Sequence, residues 1–355
     1  MSVVEPGFSG SAQTDRRRFL TTAGALLVGG AAAASRTFAH PSGALTETAA
    51  AGARAMLATP IVDTHQHLWN LETQKLPWLD GAPEVLKKTY WLNEYAAATE
   101  GLNIKSAVYM EVDIAPDQQI SEADTLLEIC RKGDAPTIAA VISGRPNSEE
   151  FARYIHRYAK AKPIKGVRQV LHPPDCPRGL CLEKQFVRSM NLLGEIGMSF
   201  DLCMRPEDLS DAVTLVRQCP GTRFVLDHCG NADPGSFLSE SVRKEAPKHD
   251  TEAWKANILQ LAEQSNVICK ISGVIASAPT GVPFTDSLAP VINHCLDSFG
   301  PDRVIFGGDW PVCLLGAPFR EWVSTLLTII SNRPQAEQEK LLHKNAEKFY
   351  SLLTQ

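Results

Sequence analysis

The sequence predicts a single (β/α)8 TIM barrel, and three observations carry that expectation. Eight short apolar runs with strand character recur between residues 60 and 310. Each is followed by room for a helix, in places with apolar residues at 3.6-residue spacing. Polar and ionisable residues gather at the C-terminal ends of the runs, where a barrel keeps its chemistry. The competing doubly wound sheet would carry a GxGxxG turn after its first strand, absent from IVDTHQHLWN, and needs only five or six strands. No repeat of solenoid period is present.

At the N-terminus, Asp15-Arg16-Arg17-Arg18-Phe19-Leu20 precedes the small-residue run Ala23 to Ala34 and then Thr37-Phe38-Ala39. This reads as a twin-arginine signal over residues 1–39, cut after Ala39, and predicts a periplasmic protein carried by the twin-arginine export machinery. The run is shorter and less apolar than the ~20 residues of a spanning helix, so no stable membrane span is expected after cleavage. Residues 40–59 read as a linker and 60–355 as the barrel domain with a C-terminal helix.

The strands expected in order are 61–67 (IVDTHQH), 104–112 (IKSAVYMEV), 137–143 (TIAAVIS), 164–172 (IKGVRQVLH), 198–204 (MSFDLCM), 223–228 (RFVLDH), 267–272 (VICKIS) and 303–308 (RVIFGG). Between the fifth and sixth, Pro206 with Glu207 and Asp208 opens a helix in which Leu209, Ala212, Val213 and Val216 share one face. After the eighth, Phe319, Trp322, Val323, Leu326 and Ile330 repeat the pattern. The connection 229–250 is long and polar for a βα loop and is expected to rim or cover the mouth.

Thirty-five Lys and Arg against forty Asp and Glu give a net charge of −5, which excludes a basic nucleic-acid binder. Cleavage after Ala39 removes four arginines and two acidic residues and leaves −7. With 44% hydrophobic and 21% charged residues the chain has a globular composition. Nine cysteines form no CxxC and no structural-zinc spacing; Cys203, Cys229, Cys269 and Cys313 sit in or beside apolar runs, as buried Cys does. Cys176 and Cys181 are the one local pair an oxidising periplasm could bridge.

The first strand ends in Asp63-Thr64-His65-Gln66-His67, and period two puts His65 and His67 on one side, toward the mouth. Two such imidazoles form a metal pair or a hydrogen-bonding pair for substrate oxygens. Strand two ends in Glu111, strand four carries Arg168 and His172, strand six ends in Asp227-His228, strand seven carries Lys270 and Ser272, and strand eight ends in Gly307-Gly308-Asp309. Singly, each has an ordinary explanation as a salt bridge, a snorkelling lysine or a cap. Together they would bury unpaired charge at high cost unless they form one site.

IVDTHQHLWN, GVRQVLH, LDHCGN, CKISGV, DRVIFGGDWPVC and HKNAEKFY, in that order over residues 60–350, resemble the amidohydrolase superfamily. More narrowly they resemble its amidohydrolase-related branch of lactone hydrolases, which includes L-fuconolactonase, L-rhamnonolactonase and the 2-pyrone-4,6-dicarboxylate lactonase. The resemblance implies hydrolysis of a sugar-derived or related small lactone. Asp309 would be the general base on water, and His65, His67 and His228 would hold metal or polarise the carbonyl. Arg168 would join them as an oxyanion donor, while Lys270 and Glu111 would contact substrate hydroxyl or carboxylate groups and His172 would lie at the edge. Trp69, Trp78, Trp91 and Trp310 are candidates to stack on the substrate or simply to pack loops.

Strand four carries Arg168 and His172 where many relatives place a bridging Lys or Glu, and strand five has no His, so a binuclear centre is not expected. Either no metal or one Zn-type ion on His65, His67 and Asp309 fits this pattern. Two other functions stay open: a metal-dependent decarboxylase of the same superfamily, which would carry a His on strand five, and a non-catalytic periplasmic sugar-acid binding protein, which would have lost Asp309.

Overall fold

A computed structural model describes residues 59–352; the expected export signal and all but the last residue of the expected linker lie outside the described residues. The strands are β1 Ile61–Gln66, β2 Ile104–Met110, β3 Thr137–Ser143, β4 Ile164–Val170, β5 Ser199–Cys203, β6 Arg223–Leu226, β7 Val267–Ile271 and β8 Val304–Phe306. They pair in chain order, each parallel to the next. A helix follows each in turn: α1 Leu92–Ala98, α2 Gln119–Lys132, α3 Phe151–His156, α4 Lys184–Glu195, α5 Leu209–Gln218, α6 Thr251–Ala262, α7 Phe284–Phe299 and α8 Phe319–Ile329. This is the (β/α)8 barrel. Most strands stop one or two residues before the sequence suggests, because the polar residues at their ends turn out of the ladder into the loops.

Both helix patterns bury the faces their spacing implies. Leu209, Ala212, Val213 and Val216 are buried on α5, and Phe319, Trp322, Val323 and Leu326 on α8. Pro206 starts a 3-10 turn, Pro206–Asp208, that runs into α5.

The ring closes where β8 meets β1. Asp309 N donates to His65 O and His67 N donates to Trp310 O, both at 2.8 Å, while Thr64 Oγ1 donates to Phe306 O at 2.6 Å. Asp63 fastens the seam: its carboxylate accepts from Gly308 N at 2.7 Å, His65 N at 3.0 Å and Tyr95 Oη at 2.8 Å. Burial raises the Asp63 pKa, and those three donors oppose the rise. Gly308 has to be glycine, since a Cβ there would overlap the Phe319 ring and stand 2.7 Å from Asp63 Oδ2.

The barrel interior is layered. Its lower part is aliphatic, with Val62, Val108, Val141, Val225, Ile268 and Ile305 packed together and closed below by Ala346 of the C-terminal helical segment 335–349 and by Tyr350, which caps it. Asn345 ties that segment to the barrel by donating to Pro301 O and Val304 O. The larger core lies between sheet and helices, around side chains such as Phe200, Phe224, Trp254 and Trp322. All nine cysteines are free thiols, Cys176 and Cys181 included. Among the described residues no helix is long and apolar enough to cross a membrane.

Candidate active site

Above the aliphatic layer the interior becomes charged, and the charges alternate in sign. Glu111 Oε1 accepts from Arg168 Nε at 2.7 Å, and Arg168 also donates to the Glu111 carbonyl. Arg168 Nη1 lies 3.6 Å from Asp227 Oδ2, whose other oxygen is 2.9 Å from Lys270 Nζ, and Lys270 donates to Asp201 Oδ2 at 2.7 Å. Glu111, Asp201, Asp227 and Lys270 are fully buried and Arg168 nearly so. Burial pushes the Asp201 carboxyl up to about 7 even with Lys270 beside it. Burial alone would raise Asp227 too, but Lys270 and His65 hold it well below the usual carboxylate range. Glu111 in turn drives Arg168 upward against the opposing effect of burial.

His65 stands at the centre of this network. Its Nδ1 lies 3.3 Å from Lys270 Nζ and 3.6 Å from Asp227, and its Nε2 lies 3.2 Å from Arg168 Nη1 and 3.6 Å from Asp309 Oδ1. Burial, reinforced by Lys270, lowers its pKa well below the ordinary imidazole value, so the ring is neutral at pH 7. The His228 ring packs against it at 4.4 Å and is likewise shifted down by burial; His228 Nδ1 pairs with Ser272 Oγ at 2.9 Å, which leaves Nε2 for the cavity.

His67 Nδ1 lies 2.9 Å from Met110 O, a pure acceptor, so that nitrogen carries the hydrogen and Nε2 presents a bare lone pair. That lone pair faces Asp309 Oδ1 at 3.4 Å.

Local backbone strain marks the same residues. Asp309 has φ 54°, and His228, Cys229, Gly230 and Asn231 all have positive φ, a left-handed turn that costs about 1–2 kcal/mol for each residue other than glycine. Trp254 Nε1 donating to Cys229 O and Asn231 Nδ2 donating to Met204 O hold that turn in place. Strain paid for elsewhere in the fold and concentrated at two ionisable side chains is a feature of functional sites.

A cavity of about 500 Å³ opens over these groups, within the range of small-molecule sites. His67, Arg168, His172, His228 and Asp309 line it. His65, Glu111 and Lys270 do not. Glu111 and Lys270, expected to contact substrate groups, lie in the charged layer beneath, each already ion-paired. His65 is covered by Arg168 and His228, so its expected place at the mouth is one layer too high. Trp69 and Trp78 line the cavity, whereas Trp310 packs between Tyr90 and Tyr95 and Trp91 precedes α1. Of the connection 229–250, Asn231 and Ala232 reach the cavity, and residues 233–248 border a second, polar cleft beside it.

The donor set suits one divalent ion. His65, His228 and Asp309 place ligand atoms within 4.8 Å of one another, so His228 takes the place expected for His67 in the metal trio, with His67 Nε2 adjoining Asp309. Two imidazoles and a carboxylate form an ordinary catalytic zinc shell. Among the described residues, the other His/carboxylate group, Cys203, Asp227 and His228, shares His228 and uses an Asp already paired with Lys270. A trio of thiols, Cys229, Cys269 and Cys295, does not line the cavity.

Asp201 is the one member of the charged layer that the strand-end pattern does not single out, since it lies within β5 rather than at its end. A lone Asp inside MSFDLCM and a lone Lys inside VICKIS are each untenable in a barrel interior, and that shared difficulty was the available signal for their pairing.

An eight-stranded barrel with imidazole, guanidinium and carboxylate groups converging at the C-terminal rim is the architecture of a barrel enzyme, whose chemistry sits at that face. The amidohydrolase family profile matches residues 62–352, and the chain belongs to that family. It is 26% identical to an L-fucono-1,5-lactonase of Burkholderia multivorans, over 82% of this chain and 96% of that protein. It is 22% identical to an L-rhamnono-gamma-lactonase of Scheffersomyces stipitis, over 82% and 98%. A crystal structure of an amidohydrolase from Burkholderia multivorans with bound Zn superposes with TM-score 0.72 at 24% identity, over 82% and 99%.

Proposed function

We propose that the protein is a lactonase in which Asp309 is the general base. The observation that carries this reading is the Asp309 carboxylate at the cavity floor, flanked by His67 and His65 at 3.4 and 3.6 Å and sharing the lining with Arg168 and His228. Relatives named as lactonases, matched over most of their length, support the reaction class.

In this reading a water gives its proton to Asp309 as its oxygen adds to the lactone carbonyl carbon. The negative charge that develops on the carbonyl oxygen is met by Arg168 and His228, where buried donors act more strongly than in water. The ring C–O bond then breaks, the leaving oxygen takes the proton back from Asp309, and a hydroxy acid departs. His65, His228 and Asp309, with His67 beside them, would hold a single divalent ion, which would supply Lewis-acid activation of water and of the carbonyl.

Asp309→Asn tests the proposal, since the amide keeps the shape and cannot take the proton. Turnover on the best lactone of a panel should fall by roughly 10²- to 10⁴-fold, with a smaller change in binding. Near-normal turnover would place the base elsewhere.

A further inference from the structure

We propose that the substrate carries an apolar substituent, an alkyl chain or aromatic ring on the lactone, rather than the hydroxyl groups of an aldonolactone. This rests on the lactonase reading and extends it from the floor of the cavity to its wall. Above the reactive groups the wall is built from Trp69, Trp78, Val112, Val170, Val274 and Leu315. Leu315 remains 39% exposed, an apolar side chain left at the opening of the pocket.

The polar groups on that wall are largely spent on the protein itself. Trp69 Nε1 donates to Lys88 O and Trp78 Nε1 to Val112 O, both at 2.7 Å, so both indoles offer the cavity ring surface rather than a donor. Arg205 is held by Asp208 and by the carbonyls of Pro173 and Cys176. Asp113 accepts from Arg145 at 2.8 Å, Asn231 Nδ2 donates to Met204 O at 2.7 Å, and Ser277 Oγ donates to Val274 O. A polyhydroxylated ring needs several partners for every pair of hydroxyls it buries, and a site built to read hydroxyls keeps donors and acceptors free for them. For such partners this wall leaves the exposed His172 ring and one oxygen each of Asp113 and Asn231, set among two indole faces and branched aliphatic side chains.

The test compares δ-lactones whose side chain grows from methyl to pentyl, together with dihydrocoumarin, against aldonolactones, by proton release. Binding of the matching δ-lactams, which resist hydrolysis, is measured in parallel by calorimetry. Each added methylene should raise kcat/KM, and lactam affinity, about three- to fourfold until the wall is covered, the fold-change expected for burying one CH2. Aldonolactones should fall at least tenfold below the methyl lactone. Leu315→Asn and Val274→Thr should flatten the chain-length dependence. A flat dependence in both series, or preference for aldonolactones, overturns the inference and leaves lactonase activity standing. If no lactone is turned over but lactam affinity climbs with chain length, the lactonase reading fails and the apolar specificity of the cavity holds.

Discussion

Replacing Lys270 with Met should cost the fold more than any surface charge could, and the cost should depend on pH in a defined direction. The ammonium lies 2.7 Å from Asp201 and 2.9 Å from Asp227, with all three side chains inaccessible to solvent. Removing one partner of a buried ion pair costs about 3–5 kcal/mol, chiefly because the other charge is stranded. At about 2 °C per kcal/mol for a domain of this size, the melting temperature at pH 7 to 8 should drop by roughly 6–10 °C. In the parent, Lys270 is held above its unfolded pKa, so its contribution is intact throughout the range below about pH 10. In the variant, Asp227 loses the cation that holds it down and burial raises it. The native state then binds a proton that the unfolded state has released, and stability is lost as pH rises above about 4 toward the new folded pKa. Asp201 is already raised in the parent, so the added slope reports mainly Asp227, at about 1.4 kcal/mol per pH unit while one extra proton is bound. Thermal melts of both proteins from pH 5 to 8 should therefore show a gap that is small at pH 5 and wide at pH 8. A gap that stays constant with pH, or a shift below about 2 °C, would refute the pairing.

Further expectations concern the seam, the metal and the N-terminus. Gly308→Ala should destabilise the barrel by about 1–3 kcal/mol or more in urea melts, because the new methyl group has nowhere to go between Phe319 and Asp63. Elemental analysis of protein purified without a metal-binding tag should find no more than one divalent ion per chain, and the content should fall in Asp309→Asn if an ion is held there; two tightly bound ions would contradict the donor geometry. Mass spectrometry of periplasmic material from a native host should find a mature N-terminus at or near His40, and intact Met1 on soluble cytoplasmic protein would argue against export.

Much of the architecture was readable because barrel strands announce themselves locally. Val267-Ile268-Cys269 and Phe224-Val225-Leu226 read as strand cores whatever surrounds them, and the α5 and α8 stripes follow from helical spacing alone. The site was readable as a set of residue types at strand ends, but its layers were not. Period two assigns His65 and His67 to one side of β1, yet only the inward curvature of the sheet, and the Arg168 and His228 side chains arriving from β4 and the end of β6, decide that His65 is covered and His67 is not. The partners of Glu111 and Lys270 were illegible for the same reason: an ion pair between strands far apart in sequence depends on which side chains cross the barrel axis. The left-handed turn at His228 has no strong local signal beyond Gly230 and Asn231, since the hydrogen bonds that sustain it come from Trp254 and Met204.

The seam at Asp63 and Gly308 also bears on how the molecule comes together. The bonds Thr64 to Phe306 and Gly308 to Asp63 join residues 242 and 245 positions apart, so they are among the last to be reachable as the chain folds. Asp309 takes its place only through those bonds, with its own amide on the His65 carbonyl. In a refolding experiment, secondary structure and much of the helical shell can return while the first and eighth strands are still apart, and such a molecule has no assembled floor to its cavity. Regain of activity should lag regain of helical signal, and the enzyme's own turnover would then time the moment at which the ring of strands becomes continuous.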